Sequence, residues 1–260
     1  MERQVTSPRP GPAEEQVGAL AELLSGAERV VALTGAGISV PSGIPDFRTP
    51  GEGAWTKVDP MKVATIDAFH RDTKGFWDFY RPRFELLGDK LPNPAHQALA
   101  ELESMGRLEA VITQNIDRLH SRAGSREVIE VHGSIETSSC TTCGARWPLK
   151  EVAELFDEDG IATCSGCLGK VKPDVVLFGE LLPEAEIERA RALSASADLM
   201  ICVGSSLEVF PVAGLPGLTL AGGGDLAIAT RSPTPYDDDA AVRLDGDVAE
   251  QLPAVVAALS

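Results

Sequence analysis

The stretch from Val30 to Arg48 constrains the fold of this chain more than any other. It opens as a short apolar run, Val30 to Leu33, long enough for one buried strand. It then breaks into Gly35-Ala36-Gly37, where missing side chains let the backbone turn sharply and approach a neighbour or ligand. A strand entering a Gly-x-Gly turn is how doubly wound α/β domains offer backbone N–H groups to a pyrophosphate. The third glycine of the dehydrogenase fingerprint falls due at position 40, where Val40 stands instead. Beyond it, Pro41, Gly43 and Pro45 argue against a helix, and Asp46-Phe47-Arg48 sets acid, ring and cation side by side.

The rest of the chain supplies the alternation such a strand needs. Val17 to Leu24 has helical spacing; Leu108 to Ile112 and Val128 to Val131 read as further buried strands. Strand-like Val175 to Phe178, helical Ala185 to Leu193, and strands at Leu199–Val203, Leu226–Ala229 and Val242–Leu244 follow, with a final helix near Val248 to Leu259. Asp67 to Leu87 is helical and aromatic-rich, which reads as a wall of packed helices. The expectation is an α/β fold: a mostly parallel sheet with helices on both faces, a helical segment, and a small insertion.

That insertion carries the strongest chemical signal. Cys140-x-x-Cys143 and Cys164-x-x-Cys167 have the spacing of a four-thiolate tetrahedral zinc site. Four sulfurs leave no position for water, so one structural Zn²⁺ is expected. The fifth cysteine, Cys202, lies in a buried strand and reads as a small core residue.

Composition narrows the partners. The net charge is −16 with no basic patch, which argues against nucleic acid and anionic membrane. No apolar run approaches the about 18 residues of a span. The proline-rich start, residues 1–15, reads as a flexible tail without a signal-peptide core, and a cytoplasmic location is expected. No oligomer is implied, and a monomer is expected.

Chemistry concentrates past strand ends, where open α/β sheets bind ligands. Thr113-Gln114-Asn115-Ile116-Asp117 follows the second strand, and His132-Gly133 follows the third. A histidine near its reference pKa of about 6.5 can take a proton from a hydroxyl at neutral pH. His70, His96 and His120 have no comparable setting, although His120 closes the polar 113–120 segment.

Together these features resemble the sirtuin family, the NAD-dependent protein lysine deacylases. The motifs are Gly35-Ala-Gly-Ile-Ser39 with Gly43-Ile-Pro-Asp-Phe-Arg48, Thr113 to Asp117, His132-Gly133, the cysteine pairs, Lys172 to Glu180 and Gly204 to Pro211. They cover nearly the whole chain from about Gln16. The resemblance implies a Rossmann-like NAD-binding domain over 16–48, 88–133 and 171–260, with a zinc module over 134–170. The segment 49–87 would hold the cofactor loop and the helical part of a small domain.

It also implies roles. NAD would be a consumed co-substrate: nicotinamide leaves, and the acyl group of an acylated lysine passes to ADP-ribose. His132 would be the general base, with Asn115 and Asp117 orienting the nicotinamide ribose and carboxamide beside Gln114 and Ile116. Gly35, Ala36, Gly37, Ile38, Ser39, Asp46, Phe47 and Arg48 would line the cofactor loop, with Phe47 shielding the reacting centre. Gly204, Ser205 and Ser206 would serve the adenosine-side phosphate or ribose, with Thr230 and Val248 also contacting the cofactor. Val176, Leu177, Phe178 and Gly179 would pair with the substrate peptide as an added strand. Tyr80-x-x-Arg83 resembles the pair in sirtuins that prefer acidic acyl groups such as succinyl, with Pro82 set between them. The chain departs from the family at Ala229-Thr230-Arg231, where many members carry Asn followed by an acid. Protein ADP-ribosyl transfer and a non-catalytic NAD-sensing scaffold stand as alternatives at this stage.

Overall fold

The structure is a computed structural model that describes residues 12–46 and 58–259. In chain order the first half contains α1 (Pro12–Gly26), β1 (Val30–Thr34), α2 (Pro60–Val63), α3 (Ile66–Arg71), α4 (Thr73–Gly88), α5 (Pro94–Ser104), β2 (Ala110–Thr113), α6 (Leu119–Ala123) and β3 (Val128–Glu130). The second half contains β4 (Gly133–Cys140), β5 (Arg146–Pro148), α7 (Leu149–Val152), β6 (Val171–Val175), α8 (Glu184–Ser196), β7 (Leu199–Val203), α9 (Leu215–Ala221), β8 (Asp225–Ala229), β9 (Val242–Leu244) and α10 (Val248–Ala258). Helix α1 begins at Pro12, inside the segment read as tail.

Six strands form one sheet in the order β3-β2-β1-β7-β8-β9, and every pairing in it is parallel. All residues of β1, β2 and β7 are buried, as strands covered on both faces must be. Side chains alternate along β1. Val30 and Ala32 join the layer formed by α1, α5 and α10 through Leu24, Leu99 and Leu252. Val31 and Leu33 face the opposite layer, with Ile187 of α8 and Leu215 of α9. Strand order reverses between β1 and β7, so their carboxyl ends open a crevice at the switch point.

A second, antiparallel sheet has the order β5-β4-β6. It revises one expectation. Strand β6 covers Val171–Val175 with alternating burial and pairs with β4, whereas the apolar run starting at Val175 suggested a strand through Phe178. Alternation identifies the half-buried strand, and the continuous run after it belongs to a connection.

The aromatic helices lie on this small sheet. Asp72 (φ −140°, ψ 73°) breaks the 67–87 helix into α3 and α4 and caps α4 by accepting from the Gly75 N–H at 2.8 Å. Phe69, Phe76, Trp77 and Phe84 pack against Ile135, Val171 and Val175. Trp77 is 2% exposed and donates its indole N–H to the Val171 carbonyl at 3.2 Å. Pro82 is accommodated inside α4. Trp77→Ala should therefore cost about 3–5 kcal/mol in chemical denaturation. A loss below about 1 kcal/mol would show that these helices do not hold the small sheet.

Candidate functional site

The site is built where the loops after β1, β2, β3 and β7 meet. Gly35 donates its N–H to the Val203 carbonyl at 3.0 Å, and Gly37 donates to the Gly204 carbonyl at 2.8 Å. The loops touch backbone to backbone. A Cβ on Gly37 would lie 2.7 Å from Gly204 Cα, and one on Gly204, where φ is +61°, would lie 2.2 Å from the Ile38 nitrogen. These glycines are thus required by loop packing, and the N–H groups of Gly35 and Gly37 are used inside the protein. Those two N–H groups are therefore not the ones a pyrophosphate could take at this turn.

After Gly35 the chain forms a 3₁₀ helix, Ala36–Ser42, that includes Pro41 and ends at Gly43 with φ 76°. The prolines had argued against any helix there, but a short 3₁₀ segment needs few N–H donors. It carries Ser39, fully buried, to the centre of a polar cluster. Ser39 Oγ donates to Asp117 Oδ2 at 2.7 Å and accepts from Asn115 Nδ2 at 3.2 Å. Asn115 Nδ2 also donates to the Gly35 carbonyl at 3.1 Å. Asp117 Oδ1 accepts the Leu119 N–H at 2.9 Å. Burial raises the Asp117 pKa above the ordinary carboxyl value, and the Leu119 and Ser39 donors oppose that rise.

His132 lies one residue before β4. Its Nδ1 stands 3.1 Å from the Gln114 carbonyl, which only accepts, so Nδ1 carries the proton and Nε2 is left bare. Burial pulls its pKa below the usual 6.5, against the raising effect of the Gln114 bond. The same Gln114 donates from Nε2 to Ser205 Oγ at 2.9 Å. One residue therefore ties the histidine to the loop after β7. Ile116 accepts the Ile135 N–H at 3.2 Å, which fixes the loop after β2 to β4.

Several residues emerge only in three dimensions. Thr34 Oγ1 donates to Thr113 Oγ1 at 2.8 Å and meets His120 Nε2 at 2.9 Å. His96 Nε2 meets Ser39 Oγ at 3.4 Å. Both rings are buried and stay neutral: burial takes His96 down to about 4, and burial with the His96 neighbour takes His120 to about 3. Glu130, at the end of β3, is pushed up to about 7 by burial, with Arg118 opposing. His120 at least closed a polar segment, whereas nothing local marked His96, 57 residues from its partner Ser39.

Other expected site residues are placed as follows. Thr230 donates its N–H to the Leu244 carbonyl at 3.0 Å, and Arg231 pairs with Asp247 at 3.0 Å. The Val248 side chain is packed in the core, which leaves only its backbone to a ligand. Phe47 and Arg48 lie outside the described residues; Ile38 is fully buried and Asp46 half-buried.

Within the Val176–Gly179 segment, expected to pair with a substrate peptide, several backbone groups already have partners. Val176 N–H goes to the His132 carbonyl, Leu177 N–H to Glu180 Oε2, and Phe178 N–H to the Ala64 carbonyl, each at 2.8–2.9 Å. The Phe178 carbonyl accepts from Ile66 at 3.0 Å and that of Leu177 from Glu180 at 3.0 Å. Only the Val176 carbonyl and the Gly179 backbone lack such partners among the described residues.

Tyr80 is half-buried between Phe76 and Phe84 at ring distances of 4.5 and 5.4 Å, and burial raises its pKa to about 12 with the Arg83 charge opposing. Arg83 is exposed. Its guanidinium lies 3.5 Å over the Phe79 ring and donates to the Phe79 carbonyl.

The Sir2 family profile matches residues 35–211, a span that begins at the Gly-x-Gly turn and runs past the cysteine pairs. The chain belongs to the Sir2 family. A curated relative from Caldivirga maquilingensis, called NAD-dependent protein deacetylase, is 46% identical, with 91% of each chain covered. NAD-dependent protein deacylase 2 of Archaeoglobus fulgidus is 43% identical, covering 94% of this chain and 96% of its own. A solved Sir2 variant with a deacetylated p53 peptide and 3′-O-acetyl ADP-ribose superposes with a TM-score of 0.88, at 42% identity over 92% of this chain and 96% of that one.

In this Sir2 member the four thiols fit one structural zinc. Their sulfurs lie within 4.8 Å of one another, with Cys140–Cys167 at 3.5 Å and Cys143–Cys164 at 3.7 Å. A tetrahedron with Zn–S bonds of about 2.3 Å has edges of about 3.8 Å. The Cys143 N–H draws the Cys140 thiol down to about 6, toward the thiolate a metal binds. Stripping zinc with a strong chelator should lower Tm and expose residues 133–175 to protease before the six-strand sheet is cut. Unchanged protection after verified metal loss would show that packing alone holds the module.

Proposed function

We propose that this chain is an NAD-dependent protein lysine deacylase in which His132 is the general base. The observation that carries the reading is the Gln114 bridge. It strips His132 Nε2 of its proton and fixes that ring beside the loop of Ser205, in the crevice where Asn115, Ser39 and Asp117 converge. NAD supplies a cleavable nicotinamide–ribose bond and a ribose carbon that takes the acyl oxygen. The protein's residues do the rest. Asn115 and Asp117 orient the nicotinamide end, Gly204, Ser205 and Ser206 serve the adenosine-side phosphate or ribose, and the bare imidazole takes a hydroxyl proton. Backbone groups at Val176 and Gly179 hold the peptide around an acylated lysine. The zinc stays out of the reaction, and its thiolates suit the reducing cytoplasm.

Acyl choice rests on Tyr80 and Arg83. Among the described residues Arg83 has no carboxylate partner, and its charge acts on Tyr80. The pair supports acceptance of acidic acyl groups such as succinyl beside acetyl, because a free guanidinium rewards a terminal carboxylate through charge-assisted bonds. The guanidinium must swing off the Phe79 ring to do so. Arg83→Met should lower the succinyl-to-acetyl ratio of kcat/KM by roughly tenfold. An unchanged ratio would return Arg83 to a surface stacking role.

His132→Ala should lower deacylation by about 10²-fold or more, read as nicotinamide release and deacylated peptide. Label from NAD on protein, with no deacylated product, would instead indicate ADP-ribosyl transfer. The base works unprotonated, and its pKa is depressed below 6.5. Activity should therefore hold through neutral pH and fall only below pH 6.5. An acid limb centred near 7 would point to Glu130 instead.

A further inference from the structure

His96 is a fully buried imidazole that the proposed reaction does not use. Its hydrogen bonds determine its tautomer. The Asn93 N–H donates to Nδ1 at 3.4 Å, so Nδ1 is bare and Nε2 carries the proton. Nε2 faces Ser39 Oγ at 3.4 Å. The Ser39 hydroxyl has one proton, and Asp117 Oδ2 at 2.7 Å takes it. Ser39 Oγ then accepts from His96 and from Asn115. Every valence of the serine oxygen is thereby assigned, and its proton can point only at Asp117.

We propose that His96 is a positioning residue for cofactor binding: by donating Nε2–H to Ser39, it locks the Ser39 hydroxyl onto Asp117 and so fixes Asn115 and Asp117 for the nicotinamide end of NAD. The inference rests on the deacylase reading above and adds a residue that touches neither substrate. Without that donor, Oγ has a vacant lone pair, and the hydroxyl is no longer confined to pointing at Asp117. His96 also serves α5: with Asn93 it forms the capping box at the helix start, where Asn93 Oδ1 accepts the Ala95 N–H at 2.9 Å.

The two nitrogens separate the two roles. His96→Asn places its amide near Nδ1 and can keep the cap while losing the donor to Ser39. His96→Gln places an amide donor near Nε2 and can keep the Ser39 bond while losing the cap. His96→Asn should raise KM for NAD on the order of threefold to tenfold, the worth of one hydrogen bond, with peptide KM and Tm little changed. His96→Gln should keep KM for NAD and lower Tm. In a double-mutant cycle, His96→Asn should add nothing to KM for NAD once Ser39→Ala is present. Additive effects, or equal KM for NAD in both His96 variants, would overturn the proposal and leave His96 as helix cap alone. Each variant is compared with a parent enzyme that releases nicotinamide and deacylated peptide, so failure of this proposal is distinct from failure of the deacylase reading, in which the parent itself would show no deacylated product.

Discussion

The contact that the rest of the site depends on is the crossing of two backbones, Gly35 to Gly37 against Gly204. Strands β1 and β7 are neighbours in the sheet but leave in opposite directions at the switch point. Their loops meet closely enough that a single Cβ would collide with backbone atoms, which cannot rotate away as a side chain can. The reward is two hydrogen bonds, Gly35 to Val203 and Gly37 to Gly204, that join the loops into one floor. The 3₁₀ turn then delivers Ser39 from one side of that floor, and the β7 loop delivers Ser205 from the other.

A floor made this way buries polar groups that an apolar core would exclude. Thr34, Ser39, His96, Thr113, Asn115, Asp117 and His120 are each at most 8% exposed. Unpaired, such groups would cost about 1–3 kcal/mol apiece. They are paired with one another, in two chains that both end on the 113–117 loop. Within this group of seven residues one buried side-chain atom is left over, the Nδ1 of His120. Burial keeps both imidazoles neutral, so Asp117 sits among neutral donors and its carboxylate is held by hydrogen bonds. That environment suits orientation of a ligand better than proton transfer, in keeping with the base role proposed for His132.

Much of this was legible in the sequence because it is local. Apolar runs marked β1, β2, β3 and β7, and the Cys-x-x-Cys spacing marked the metal site. Motif residues Asn115, Asp117 and His132 stood just past strand ends, where parallel sheets bind ligands. What escaped was non-local. The N–H groups of Gly35 and Gly37 were assigned to a ligand because nothing in the turn announces Gly204, which lies far along the chain. The bonds of Phe178 to Ala64 and Ile66 were equally invisible, because those partners come from a different helix pair. The strand at Val171–Val175 was hidden by Pro173, a poor strand former, and by Lys172 and Asp174, and tertiary pairing with β4 overrides all three.

Strand β4 links the metal-site thiols to the candidate site. It starts at Gly133, directly after His132, the proposed base, and ends at Cys140, the first thiol of the cluster. Gly133 holds φ at +73°, and a Cβ there would lie 2.1 Å from the Asp174 carbonyl oxygen, so the chain must turn at that residue to leave one sheet for the other. On the other side of the turn, the His132 carbonyl accepts the Val176 N–H at 2.8 Å, just after β6 ends. His132 is thus held at the junction of two sheets, by Gln114 from the large one and by Val176 from the small one. The four-cysteine cluster lies at the far end of β4, and Trp77 bonds the carbonyl of Val171 at the start of β6, so both strands beside His132 are anchored away from it as well.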